Sequence, residues 1–300
     1  MSRKVVKKKN MVVVLVAAAI LVLSLRGYIS GGIDYIKTQF SSADANYDGA
    51  YVEMLDVGQG DSFLVRSGDS AALIDTGIKS CADSIVNTLK KSGITKLEML
   101  LITHNHTDHM GGVDLITEDI PVNNFVIPDL DKTDERTDKM ERAIKNVKDR
   151  GGNCITAKKG TNISVGDFEF TVLGAYYDLK DENDRSIITM AKIGKWKFLF
   201  TGDAQEAAEK RLLEDNISIK CDVLKIGHHG SMYSSTEECL EAASPSLAMI
   251  SCGRGNRYSH PHDITLLRLK EAGIQFTRTD TNGNVRYDIT EKDIEVTTEK

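Results

Sequence analysis

Thr103-His104-Asn105-His106-Thr107-Asp108-His109 is the stretch on which the reading of this chain turns. It places three histidines and one aspartate within six residues. An apolar run over 97–103 precedes it and reads as a buried strand; Met110-Gly111-Gly112-Val113 follows and reads as the start of a helix. In such a strand-to-helix turn alternate side chains converge. His104 and His106 are therefore expected to face one metal ion, and Asp108 and His109 a second. Imidazole and carboxylate both suit zinc, at about 2.0–2.2 Å. An isolated histidine is ordinarily a satisfied core residue, but four donors in six residues point to a metal site.

The remaining histidines lie in two further clusters. Ile226-Gly227-His228-His229-Gly230-Ser231 directly follows a strand-like segment over 221–226. Neighbouring side chains in extended chain point opposite ways, so one of His228 and His229 is expected to bind metal and the other to hold substrate. Gly253-Arg254-Gly255-Asn256-Arg257-Tyr258-Ser259-His260-Pro261-His262 reads as a donor-rich loop suited to a phosphate oxyanion. Arg254, Asn256, Arg257 and Ser231 are its candidate substrate-binding residues. Asp203, at the end of the apolar strand over 197–201, is expected to bridge two metals with its two oxygens. Asp75, at the end of a strand over 71–75, and Asp56 are expected to accept from a ligand histidine and orient it.

Outward from these clusters the chain alternates. Strands are predicted over 51–57, 62–66, 71–75, 97–103, 168–173, 186–193, 197–201, 221–226, 247–251, 284–289 and 294–297. Helices are predicted over 80–91, 133–150, 204–214, 235–243 and 263–272, the last with Asp263 as its N-cap. Strands first, then mixed strands and helices, twice over, give an α/β layered class.

The N-terminus differs. Arg3, Lys4, Lys7, Lys8 and Lys9 precede an apolar run over 11–25. This reads as a cytoplasmic basic segment (1–10), a signal anchor or transmembrane helix (11–29) and a tether (30–50), with a 51–300 domain outside the cell. Secretion after signal cleavage is the alternative. The whole chain carries 38 Lys+Arg against 44 Asp+Glu; six of the bases and no acid fall in 1–26, which leaves 32 against 44. So acidic a remainder excludes a protein that coats nucleic acid with its whole surface and restricts any such contact to a local one. Five scattered cysteines without a Cys-x-x-Cys pair read as small apolar residues.

The order of these motifs resembles the metallo-β-lactamase superfamily over about residues 51–290. Leu55-Asp56-Val57-Gly58-Gln59-Gly60-Asp61-Ser62 and Lys225-Ile226-Gly227-His228-His229-Gly230-Ser231, with the 253–262 loop, look more narrowly like the hydrolase domain of the ComEC family of DNA-uptake channels. The resemblance implies a four-layer αβ/βα sandwich and two zinc ions, with manganese or iron as alternatives. One ion would be held by His104, His106 and Asp203, the other by Asp108, His109, Asp203 and His229. Asp108, His228, His260 and His262 are the catalytic candidates. It implies a phosphodiesterase or nuclease, with DNA among the candidate substrates. A third histidine that many members carry is absent from Glu182-Asn183-Asp184-Arg185-Ser186, and the multi-span channel portion is absent too. Another hydrolase of the fold (lactamase, lactonase, thioesterase or phosphorylcholine esterase-like) and a non-catalytic zinc-stabilised DNA-binding or surface module are the alternatives.

Overall fold

The computed structural model describes residues 47–132 and 137–300. The signal-anchor expectation falls outside them. Among the described residues no helix is long and apolar enough to cross a membrane.

Two sheets face each other. The first runs β15-β14-β1-β2-β3-β4-β5-β6 and the second β13-β12-β11-β10-β9-β8-β7. In chain order the strands of the first half are β1 (Tyr51–Met54), β2 (Phe63–Ser67), β3 (Ser70–Ile74), β4 (Leu97–Leu101), β5 (Val122–Ile127), β6 (Asn153–Thr156), β7 (Asn162–Val165) and β8 (Phe168–Gly174). The second half supplies β9 (Ile188–Ile193), β10 (Trp196–Phe200), β11 (Val223–Lys225), β12 (Leu247–Ile250), β13 (Gln275–Arg278), β14 (Val285–Ile289) and β15 (Ile294–Thr298). The helices are α1 (Ala82–Lys91), α2 (Thr107–Met110), α3 (Val113–Asp119), α4 (Asp138–Asp149), α5 (Glu206–Glu214), α6 (Glu237–Ala243), α7 (Asp263–Glu271) and α8 (Thr279–Asn282).

The layering follows from the two-residue period of a strand. In β2, Phe63 and Val65 enter the core between the sheets, while Leu64 faces α1, α3 and α4. In β10, Phe198 and Phe200 enter the same central core, while Leu199 turns to α5, α6 and α7. Both faces of each central strand are thus apolar, and the product is an α/β/β/α sandwich. Phe63 and Phe200 meet edge to face across it at 5.4 Å, beneath the loops that follow. Within each sheet one run of strands is parallel: β3 to β6 in the first, β10 to β13 in the second.

Several boundaries differ from expectation. Strands β5, β6, β7 and β13 were not predicted. Helix α4 starts only at Asp138, where the Thr137 hydroxyl accepts from the Met140 amide. His262, not Asp263, is the N-cap of α7, and Asp263 lies in its first turn. All five cysteines are described and free.

Candidate metal centre

The functional segments leave the carboxyl ends of the parallel strands, where open α/β sheets bind ligands. Asp75 follows β3, His104 to His109 follow β4, Asp203 follows β10, His228 and His229 follow β11, and the 253–262 loop follows β12. The two sheets therefore present their chemistry to one shared edge of the sandwich.

One oxygen lies at the middle. Around Asp203 Oδ2 stand His109 Nε2 at 3.1 Å, His229 Nε2 at 3.3 Å, His228 Nε2 at 3.8 Å and His104 Nε2 at 3.9 Å. His229 Nε2 is also 3.3 Å from Asp108 Oδ2, and His104 Nε2 is 3.0 Å from His106 Nδ1. His109 Nε2 and His229 Nε2 are buried, yet neither makes a hydrogen bond. A buried donor or acceptor left so costs about 1–3 kcal/mol. Two buried imidazole nitrogens turned to shared carboxylates are what a cation would satisfy, so the donor set fits a metal centre. The His104 and His106 nitrogens meet likewise, as two donors to a common ion would.

Contacts behind the rings fix which nitrogen looks inward. The Asp75 carboxylate accepts from His109 Nδ1 (2.8 Å), the Thr103 hydroxyl (2.7 Å) and the Thr103 amide (2.8 Å). The Ser251 carbonyl, which can only accept, faces His229 Nδ1 at 2.9 Å. Both rings thus carry their proton on Nδ1 and turn Nε2 to the centre. Burial alone would lower His109 and His229; Asp203 beside both, with Asp75 at His109 and Asp61 at His229, outweighs it and holds them well above the usual imidazole range, so without a cation each ring also keeps a proton on Nε2, the one an ion would displace. Burial drives His104 well below that range, so its ring is neutral and able to ligate.

Two residues quoted within motifs but given no role belong here as well. Asp61 is buried, and its carboxylate reaches Lys225 Nζ at 2.6 Å and His229 Nδ1 at 3.3 Å. With His109, Asp203 and His229 it completes a group of four buried candidate donors. It approaches the rings from their Nδ1 side, however, which makes it an orienting partner rather than a ligand. Gly60 explains the motif's spacing: its φ is 148°, and a Cβ there would lie 2.3 Å from the Asp108 carbonyl oxygen. The Asp61 amide donates to that same carbonyl (3.1 Å), binding the motif to the His-rich turn. The signal was on view in Gly58-Gln59-Gly60-Asp61, but its target lies far along the chain.

A model of the metallo-beta-lactamase superfamily matches residues 55–254. The chain belongs to that superfamily. ComE operon protein 3 of Bacillus subtilis is 32% identical over 255 residues, covering 79% of this chain and 32% of its own length. Competence protein ComA of Neisseria gonorrhoeae is 30% identical over 240 residues, covering 79% of this chain and 32% of its own length. The chain thus spans about a third of these relatives, which are ComEC-family competence proteins. The metallo-beta-lactamase fold protein YhfI of Bacillus subtilis superposes with a TM-score of 0.54 at 14% identity, covering 79% of this chain and 99% of that one, a likeness of fold.

Other expected site residues of this superfamily member sit as follows. A cleft of about 640 Å³ opens over the centre, lined by Asp108, His228, Ser231, Tyr258, His260 and His262 among others. His228 and His229 do not point opposite ways. Both have left-handed backbones (φ 48° and 56°), so the pair is a tight turn, and both rings face Asp203. Asp203 does not turn its two oxygens alike to the histidines: Oδ1 lies 3.5 Å from Lys225 Nζ and Oδ2 alone meets the four rings. Asp56 orients no histidine; its carboxylate accepts from the Gly58 amide and pairs with Lys300. Asn256 is occupied by its own loop, donating to the Gly253 and His260 carbonyls and accepting from the Tyr258 and His260 amides. Arg254 donates to the Asp280 carbonyl and is not among the residues that line the cleft. Arg257 lies over the exposed Tyr258 ring at 4.8 Å, at the mouth. Ser231 is buried, its hydroxyl accepting from the Tyr233 amide. Segment 182–186 contributes no imidazole; Ser186 Oγ instead lies 3.4 Å from His104 Nδ1 and accepts from the Asp203 amide.

Proposed function

We propose that this chain is a two-metal phosphodiesterase of ComEC type, acting outside the cell, with zinc as the metal and manganese or iron as alternatives. The observation that carries it is the convergence of four imidazole nitrogens from two sheets on the single oxygen Asp203 Oδ2, two of them buried and unbonded. His104, His106 and Asp203 would hold one ion, and Asp108, His109, Asp203 and His229 the other. Such a pair supplies Lewis-acid charge and brings the pKa of a water toward about 7.

The chain's own side chains do the rest. With no third histidine in segment 182–186, an ion held by His104, His106 and Asp203 would be able to take a substrate oxygen as well. His228, on the cleft wall, is part exposed, with its Nε2 3.8 Å from Asp203 Oδ2. His262 accepts from the Met232 amide through Nδ1 (3.0 Å), so its proton sits on Nε2, where it donates to a phosphoryl oxygen. Burial, with His228, His229 and His262 nearby, pushes His260 down to about 4. It is neutral at pH 7 and acts as a hydrogen-bonding wall rather than as the starting acid. The competence proteins among the relatives support a polymeric DNA substrate, and the apolar run over 11–25 supports attachment to the membrane.

The test is metal analysis of the full chain in detergent, coupled to a panel of bis-p-nitrophenyl phosphate, single- and double-stranded DNA, a β-lactam, a lactone and a thioester. Two ions per chain and phosphodiester turnover that Asp203→Ala abolishes are expected. Metal-replete protein that cleaves no phosphoester overturns the proposal.

A further inference from the structure

Among the described residues, Lys225 is a fully buried cation that the ligand set leaves unused. Its side chain is 1% exposed. Three acceptors surround Nζ: Asp61 Oδ2 at 2.6 Å, the Gly202 carbonyl at 2.7 Å and Asp203 Oδ1 at 3.5 Å. Its backbone is stitched to the same place, for the Thr201 hydroxyl donates to the Lys225 carbonyl at 2.9 Å. The parallel pairing of β10 with β11 fixes this register, with Leu199 opposite Leu224.

We infer that Lys225 is a positioning residue that decides which oxygen of Asp203 the metal centre receives, and that Asp61 anchors it there; this rests on the two-metal reading above. The Asp203 carboxylate has two oxygens to offer. Lys225, itself anchored on the Gly202 carbonyl, holds Oδ1 on the outer side, and the Asp203 amide donates to Ser186 Oγ at 3.0 Å. Backbone and Oδ1 being fixed, the side chain cannot swing, and Oδ2 is left as the one oxygen that all four rings meet. Oδ2 is then the oxygen that the chain would offer to the ions.

A structural ion pair is the competing account of the same contacts. It is a poor one. A buried pair of charges is weak evidence for stability, because desolvating each ion costs several kcal/mol and an apolar pair of similar volume often serves the fold as well or better. A cation placed against the non-facing oxygen of the central carboxylate is explained instead by control over that carboxylate. The two accounts differ in what they move. A staple changes melting and leaves the metal pair alone, whereas a positioning residue changes the pair's magnetic coupling.

The experiment loads the full chain with manganese(II) and records its electron paramagnetic resonance spectrum and metal stoichiometry for wild type and Lys225→Met. A melt of the chelated proteins checks folding. Wild type is expected to hold two ions with the spectrum of an exchange-coupled pair. Lys225→Met is expected to bind the second ion about 10–100-fold more weakly and to show the spectrum of isolated ions. A Lys225→Met chain with two ions and the wild-type coupled spectrum overturns the inference while leaving the two-metal reading intact. A wild type that never takes up a second ion overturns both. Should Lys225→Met not fold, Lys225→Gln answers in its place, since it keeps a polar donor but removes the charge: altered coupling supports the inference and unaltered coupling overturns it.

Discussion

Replacing Asp75 by Asn removes one charge and almost no volume, yet three donors converge on that carboxylate. Its Oδ1 accepts from the Thr103 amide; its Oδ2 accepts from the Thr103 hydroxyl and from His109 Nδ1. Asn offers one acceptor oxygen and one NH2. With its NH2 toward the Thr103 amide, two N–H groups face each other inside a dry core, at about 1–3 kcal/mol. With its oxygen there instead, the NH2 faces His109 Nδ1. The ring must then accept on Nδ1 and carry its proton on Nε2, which turns a hydrogen rather than a lone pair toward Asp203. The second arrangement keeps the strand end intact and is expected to prevail. Losing such an orienting partner costs roughly 10–100-fold in metal affinity, or about 1.4–2.7 kcal/mol. Competition with a chelating dye on metal-stripped Asp75→Asn chain measures it. A parallel melt of the stripped proteins registers any fold cost, at about 2–4 °C per kcal/mol for a domain of this size. A variant that binds metal as tightly as wild type, whatever its melting temperature, would refute the tautomer argument.

His229→Ala should lose one of two bound ions, while His228→Ala keeps both and loses phosphodiester turnover; atomic absorption beside a kinetic assay separates them, and metal loss from His228→Ala contradicts the assignment. His260 has a folded pKa of about 4, below its unfolded value of about 6.5. Between these pH values the unfolded chain binds more protons, so the metal-free protein should lose stability as pH falls through that window, by the order of 1–2 kcal/mol after allowance for solvent screening. His260→Asn should flatten that part of the profile, and an equal loss of unfolding free energy between pH 6.5 and 4 in wild type and variant, read from urea titrations, would count against it. Gly60→Ala forces a Cβ onto the Asp108 carbonyl and should cost about 1–3 kcal/mol with weakened metal binding; an unchanged unfolding midpoint would show that the loop yields freely.

What the sequence disclosed depended on distance along the chain. The His104–His109 cluster is legible because six residues hold four donors, and the central strands because Phe63, Val65, Phe198 and Phe200 alternate with residues of the outer layers. Strand β5 was hidden by Asn123 and Asn124 within it, and β6 and β13 by short, polar sequences that are only partly buried. The His228–His229 turn could not be read from alternation, which assumes extended backbone; two consecutive left-handed residues defeat it. Residue type alone marks Arg254 and Asn256 as free donors, but loop carbonyls claim them first. Lys225 and Asp61 stood in plain sight within quoted motifs. Their meaning is a contact between two sheets, which no local pattern encodes.

Because His104 to His109 hang from one sheet while Asp203 and His229 hang from the other, anything clasped between them acts as a rivet across the sandwich. An unfolded chain, with those donors scattered, has no equivalent grip. Occupancy of the centre is therefore written into the melting curve: a ligand at a hundred times its dissociation constant adds about 2.7 kcal/mol. Heat alone can then sort a library of candidate compounds, with no prior guess at which bond is cut.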